Sequence, residues 1–305
     1  MDKFKAHFAL LLANLIYGIN YSVAKGVMPD YVKPFGFIFL RASGSVLLFW
    51  LISLAMKWEP IAKKDIPRMF LAGVFGVAVN QLLFFKGLNI THPINASIMM
   101  TSSPVLVLVI SALLIKEKIS ARKVFGIVLG LTGAVLLILF KGGNLSGAPQ
   151  LAFDSDTALG DALVMLNAIS YGTYLVIVKP LMQRYSAVTV IRWVFTFGFC
   201  VVIPFGFGEF TEIEWVTLPT PIIWSIVFVV VGTTFLAYLL NIFALGKIMP
   251  STASIYMYTQ PLFATLIALY FGNDSLSITK IIAAVLIFVG VYFVSVKREK
   301  KTIEA

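Results

Sequence analysis

The chain is dominated by apolar runs of about twenty residues, separated by short polar breaks. A run of that length suffices for a helix to cross the hydrocarbon of a bilayer. Ten such runs are predicted as helices: 6–25, 35–56, 68–88, 93–115 and 122–140, then 158–178, 187–208, 222–244, 251–271 and 278–296. The stretch 141–157 is different in kind. It carries Gly142, Gly143, Asn144, Ser146, Gly147 and Pro149, a turn-forming composition that marks a linker. The expected organisation is a first unit over 1–140, an extracytoplasmic linker over 141–157, a second unit over 158–296 and a basic tail over 297–305.

The two units repeat each other. Ala96-Ser97-Ile98-Met99-Met100-Thr101-Ser102-Ser103-Pro104 returns 157 residues later as Ala253-Ser254-Ile255-Tyr256-Met257-Tyr258-Thr259-Gln260-Pro261, with five of nine positions identical. Tyr17-Gly18, six residues, then Lys25 matches Tyr171-Gly172, six residues, then Lys179. A copied unit with an odd number of spans inserts upside down. The expected fold is therefore an all-α membrane protein, ten transmembrane helices arranged as two inverted five-helix repeats, with a binding site between them.

Composition agrees. Of 305 residues, 59% are hydrophobic and 12% charged, about half the charge of an ordinary soluble domain. The net charge of +10 is spread over short loops rather than gathered in one stripe, which excludes a nucleic-acid patch. With both termini placed in the cytoplasm, seventeen Lys and Arg fall on the inner side against five outside. That is the positive-inside pattern of a multi-pass protein in the cell (inner) membrane. The single cysteine, Cys200, permits no intrachain disulfide.

Several of these residues resemble the drug/metabolite transporter superfamily, and within it the ten-helix EamA exporters. They are Tyr17-Gly18, Arg41, the stretch from Ala96 through Pro104 to Glu117, and Gly126-Ile127-Val128-Leu129-Gly130-Leu131-Thr132-Gly133. The resemblance spans the whole chain. It implies two EamA domains in inverted orientation around a cavity lined by spans 1, 3, 4, 6, 8 and 9, with 5 and 10 at the periphery. Asp274 departs from the glutamate usual in that pattern.

Polar and tyrosine side chains recur at helical spacing in the expected lining spans. Asn14, Tyr17 and Tyr21 share one face of span 1; Asn167, Tyr171 and Tyr174 share one face of span 6. Asn80 and Gln81 in span 3, Met99 and Ser102 in span 4, Tyr238 and Asn241 in span 8, and Tyr256 and Gln260 in span 9 complete the substrate-binding candidates. For each of them, hydrogen bonding between helices is the competing role. Pro104 and Pro261, at matching places in spans 4 and 9, are the hinge candidates. Arg41 is expected to find a structural partner or to snorkel, as is Arg192 near the end of span 7. Gly126, Gly130 and Gly133 form a small-residue face suited to packing against span 10.

The expected function is a secondary transporter, an exporter of small amphipathic metabolites such as amino acids, working by alternating access. Its partners are a small-molecule substrate and the lipid bilayer. No cofactor, metal site or catalytic residue is expected, because neither a phosphate-binding loop nor a cysteine–histidine motif occurs. No acid lies in the middle of a span, which argues against proton antiport by the first-helix route of related small multidrug exporters. Rival readings are a carrier of nucleotide sugars, sugar phosphates or drugs, a membrane-embedded transferase enzyme, and a non-transporting lipid-binding protein. The oligomeric state stays open.

Overall fold

The computed structural model describes residues 2–91, 96, 99–139, 155–270 and 277–295. Most of the expected linker and tail, together with Asp274, lies outside them. Among the described residues every regular element is helical. We label the rods α1 (Asp2–Val27), α2 (Pro34–Leu54), α3 (63–90), α4 (Met99–Ile115), α5 (Ala121–Leu139), α6 (Ser155–Val178), α7 (Ala187–Thr211), α8 (Thr220–Lys247), α9 (250–270) and α10 (Ile278–Ser295). They lie over the apolar runs of the sequence. Seven of them, α2, α3, α5, α6, α7, α8 and α10, are long and apolar enough to cross a membrane, and α4 is a shorter apolar helix.

The rod ends follow local chemistry. Pro34 opens α2, where its missing N–H costs nothing. The Glu209 carboxylate accepts from the N–H groups of Phe35 at 2.7 Å and Gly36 at 2.9 Å, satisfying two of the otherwise orphaned donors there. Ser186 caps α7 by accepting from the Thr189 N–H at 3.3 Å. Lys116, at φ 54°, ends α4 in the left-handed conformation.

The rods pair in a defined pattern. α5 packs on α10, α2 on α7, α3 on α6, α1 on α8, α4 on α6 and α1 on α9. The α5–α10 contact uses the glycine face seen in the sequence. A Cβ on Gly126 would stand 2.7 Å from the Gly290 carbonyl oxygen, and one on Gly133 would stand 2.6 Å from that of Ala283. Only glycine lets the two backbones approach so closely. The outer faces of these rods show Phe125, Val128, Ile281, Val285 and Phe288 to the surroundings, while Asn14, Arg41, Gln81 and Asn167 are buried. Apolar residues outside and polar residues inside suit a surface bathed in lipid.

Four departures from regular α-helix set up the centre. α3 passes through a π-helical stretch at Val74–Ala78, and α8 through one at Phe228–Leu236. α4 is interrupted at Ser102, and α9 tightens to a 3₁₀ turn at Ile255–Tyr258. The prolines sit just beyond these last two breaks, in the first turn of Ser103–Ile115 and of Thr259–Tyr270. A proline there lacks an N–H that the first turn does not use. The carbonyl left before each break is taken by a hydroxyl: Ser102 Oγ donates to Met99 O at 2.6 Å, and Thr259 Oγ1 donates to Tyr256 O at 2.6 Å.

Candidate functional site: a tyrosine layer beside a buried arginine

Tyr17 from α1, Tyr171 and Tyr174 from α6, and Tyr238 from α8 gather in one layer. The rings of Tyr17 and Tyr238 meet edge to face with centroids 6.4 Å apart, and those of Tyr171 and Tyr174 lie 6.0 Å apart. Asn241, one turn along α8 from Tyr238, donates through Nδ2 to the Tyr17 hydroxyl at 3.3 Å. Gln81 of α3 lies beside the Tyr238 hydroxyl. Gly76 makes room for the layer, because a Cβ there would stand 2.4 Å from the Tyr174 ring.

The π-helical stretches place carbonyls within reach of side chains on neighbouring rods. A π turn shifts the backbone hydrogen-bond register by one residue, so carbonyls beside it become available to other donors. Phe75 O accepts from Ser170 Oγ at 2.7 Å, and Gly76 O accepts from the Tyr238 hydroxyl at 3.3 Å. In α8, Thr234 Oγ1 donates to Val229 O at 2.8 Å and accepts from Arg41 Nε at 3.1 Å. Arg41 is 6% exposed, so it does not snorkel, and it makes no ion pair among the described residues. Its guanidinium sits 6.0 Å from the Phe37 ring centre and 5.7 Å from that of Phe85. Tyr17 and Tyr238 are within electrostatic reach of it.

The other candidates go elsewhere. Asn14 Oδ1 accepts from Gln260 Nε2 at 2.8 Å, a bridge between α1 and α9, while its Nδ2 donates to Leu10 O at 2.7 Å in its own helix. Asn167 donates to the backbone carbonyl of Asn80 at 2.6 Å, joining α6 to α3. In these three side chains, Asn14, Gln260 and Asn167, the competing role of helix bridging is realised. Ser102 spends its hydroxyl on Met99 O, which places both near the break in α4. Tyr256 is apart from the layer. Its hydroxyl is 2.7 Å from His7 Nδ1 and 3.4 Å from Ser295 Oγ, at the end of the bundle where α1 starts and α10 finishes. Tyr21 lies within α1, and its side chain is outside the described residues.

Ser170 and Thr234 were not singled out by the sequence. Ser170 shares the face of Asn167, Tyr171 and Tyr174, one position before Tyr171, so spacing alone could have found it. Thr234 follows Thr233 in an otherwise apolar run, a weaker signal. Arg192, expected to snorkel, is 2% exposed and enclosed by Trp50, Trp58 and Trp193, with its guanidinium carbon 4.7, 4.6 and 5.8 Å from their ring centres.

Two grooves lie towards the ends of the bundle. One, of about 600 Å³, is lined by Lys64, Asp65, Arg68, Leu114, Ile177 and Arg184 among others; there Arg184 pairs with Asp65 at 2.6 Å. The other, of about 320 Å³, is lined by residues including Asp30, Lys33, Glu209 and Glu212, with Lys33 paired to Glu212 at 2.5 Å. Neither reaches the tyrosine layer, which is filled by its own rings.

The chain resembles known proteins over nearly its whole length. It is 24% identical over 299 residues to Uncharacterized transporter YetK of Bacillus subtilis (strain 168), covering 97% of this chain and 88% of that one. It is 26% identical over 297 residues to an uncharacterized transporter of Archaeoglobus fulgidus, covering 96% of this chain and all of that one. Protein WALLS ARE THIN 1 of Arabidopsis thaliana is 24% identical over 329 residues, covering 96% of this chain and 83% of that protein. A solved crystal structure superposes with a TM-score of 0.74 at 19% identity, covering 94% of this chain and 95% of that one, which shows a shared fold. The profile of the EamA-like transporter family matches twice, over residues 4–139 and again over 158–296. With apolar helices throughout and this double match, the chain is a multi-pass membrane protein and belongs to the EamA-like transporter family.

Proposed function

We propose that this protein is a ten-span secondary transporter that exports small amphipathic metabolites, such as amino acids, by alternating access. Its two five-helix units, 1–140 and 158–296, are inverted relative to each other in the cell membrane, and both chain ends are cytoplasmic. The helix pairing supports the inversion. Exchanging each rod for the one five places away turns α3–α6 into α8–α1 and α4–α6 into α9–α1, and leaves α2–α7 and α5–α10 unchanged. The paired hydroxyl-to-carbonyl contacts at Ser102 and Thr259 stand 157 residues apart, the same interval as the repeated phrase. His7 and Ser295 meet at Tyr256, which supports placing the two chain ends on one side.

The observation that carries the reading is the tyrosine layer, assembled from α1 and α3 of one unit and α6 and α8 of the other. A carrier needs a central site reached from one side at a time, and rings contributed by both units part when the units rock. Aromatic faces suit an apolar body, and hydroxyls and amides suit a polar end.

Flux in proteoliposomes loaded with a broad panel of amino acids and other metabolites tests this. Transport of at least one member is expected, and transport of none sinks the proposal. In a Cys200→Ala background, single cysteines at Tyr17, Asn80 and Tyr174 should react with a membrane-impermeant thiol reagent from one side at a time. Simultaneous reaction from both sides would point to a channel.

A further inference from the structure

We propose that Arg41 is the anchor for an anionic group of the transported molecule, and that this molecule is an organic monocarboxylate with an apolar or aromatic body. The inference rests on the carrier reading above and assigns the substrate class for that same site.

An arginine this deep in a span costs about 2.5–3.5 kcal/mol on insertion scales, unless something meets its charge. Around Arg41 that something is incomplete. Of its five N–H donors, one is used, by Thr234 through Nε. Its two Nη groups make no hydrogen bond with the described residues. No carboxylate pairs with it there. Phe37 and Phe85 offer ring faces at 6.0 and 5.7 Å, the outer limit of a useful cation–π contact.

The polar groups nearby are donors. Tyr17 Oη already accepts from Asn241, so its own proton is left to donate. Tyr174 Oη is buried and has no partner, and Tyr174 lies within electrostatic reach of Tyr17. Thr234 holds the guanidinium by its Nε edge while its own proton goes to Val229 O, so the side chain is fixed and its Nη groups stay unspent. A guanidinium with free Nη donors, next to hydroxyls with unspent protons, is complementary to an acceptor-only group. The guanidinium fork matches a carboxylate in two parallel hydrogen bonds. A phosphomonoester, with close to two negative charges, would leave one charge unmatched beside a single arginine. The rings of Phe37, Phe85, Tyr171 and Tyr238 accommodate the apolar remainder. No acid in contact with Arg41 or Tyr17 among the described residues answers an ammonium group, so the amino group of an amino acid adds little to binding.

The test uses the purified full chain and four matched probes: 3-phenylpropionate, L-phenylalanine, 3-phenylpropionamide and phenethylamine. Thermal stabilisation in detergent reports binding, and proteoliposome flux reports transport. The two carboxylates should stabilise and be carried, whereas the amide and the amine should do neither. Arg41→Gln should weaken carboxylate binding by about ten- to a hundredfold, the worth of a charge-assisted hydrogen bond, and Arg41→Lys should retain part of it. Amide or amine binding as well as the acids overturns the inference. So does undiminished acid binding in Arg41→Gln, or the absence of acid binding while other metabolites are carried; these results leave the carrier reading intact. No transport of any metabolite by the wild-type protein overturns both. Should Arg41→Gln fail to fold, the wild-type contrast between acid and amide decides alone.

Discussion

Arg41 and Arg192 are both arginines buried within helices, and they are buried in opposite ways. Arg192 is sandwiched between Trp50 and Trp58 at 4.7 and 4.6 Å, with Trp193 alongside and Glu59 within electrostatic reach. Its Nε and Nη2 make no hydrogen bond, yet indole faces fill the space around it and meet its charge. Arg41 has more distant rings, a single threonine and two tyrosines. The difference teaches that burial alone does not mark a binding residue. What separates the two is whether the neighbours already close every face of the cation.

The comparison can be broken most forcefully at the tryptophan cage. Arg192→Ala removes the centre of three indoles, a large-to-small change that should lower unfolding stability by about 2–4 kcal/mol. Transport per folded molecule should stay at the wild-type level. Denaturant titration beside flux normalised to folded protein measures both, and lost flux in a fully folded variant would make Arg192 functional.

Smaller effects should divide the tyrosine layer. Tyr238→Phe deletes the hydrogen bond to Gly76 O and should cost about 0.6–1 kcal/mol of stability. Tyr174→Phe deletes a hydroxyl with no partner and should cost nothing in stability, while still weakening carboxylate binding. Equal stability losses in the two variants would mean that the Tyr174 hydroxyl is structurally used.

The smallest effect is a pH dependence confined to the cage. Burial pushes the Glu59 carboxyl up, but hydrogen bonds from Ser186 and Thr189 and the charge of Arg192 outweigh it, so its pKa lies below the ordinary carboxylate value. A depressed folded-state pKa contributes stability that is present above the unfolded value and lost as pH falls through the folded one. Thermal unfolding should therefore weaken in acid, slightly because Glu59 is mostly solvated, and Glu59→Gln should flatten that part of the profile. An unchanged acid limb in the variant would remove Glu59 from the account of Arg192.

Much of the fold could be read from the chain, because the hydrocarbon demands long apolar runs and charges punctuate their ends. The α5–α10 contact was equally readable, since Gly126 and Gly133 lie on one face and have no other obvious use. The site was readable only in part. Helical spacing gives the face of a side chain but neither its partner nor its depth. It therefore grouped Asn14 with Tyr17, although Asn14 is spent on Gln260. It grouped Tyr256 with Gln260, but the 3₁₀ turn at Ile255–Tyr258 has about three residues per turn and shifts the phase between them. The π-helical stretches have no residue code at all. They depend on donors arriving from other rods, Ser170 and Tyr238 at α3 and Arg41 by way of Thr234 at α8.

Those widened turns make the two central rods sensitive to length. Each holds extra backbone, so the segments on either side are offset in phase from a uniform α-helix. Removing one residue between Val74 and Ala78 would let the turn tighten and twist everything beyond it by about 100°, one residue's share of a helical turn. Asn80 and Gln81 would swing away from the tyrosines while the rod kept its apolar character. A deletion too small to disturb membrane insertion would thus disconnect the substrate pocket.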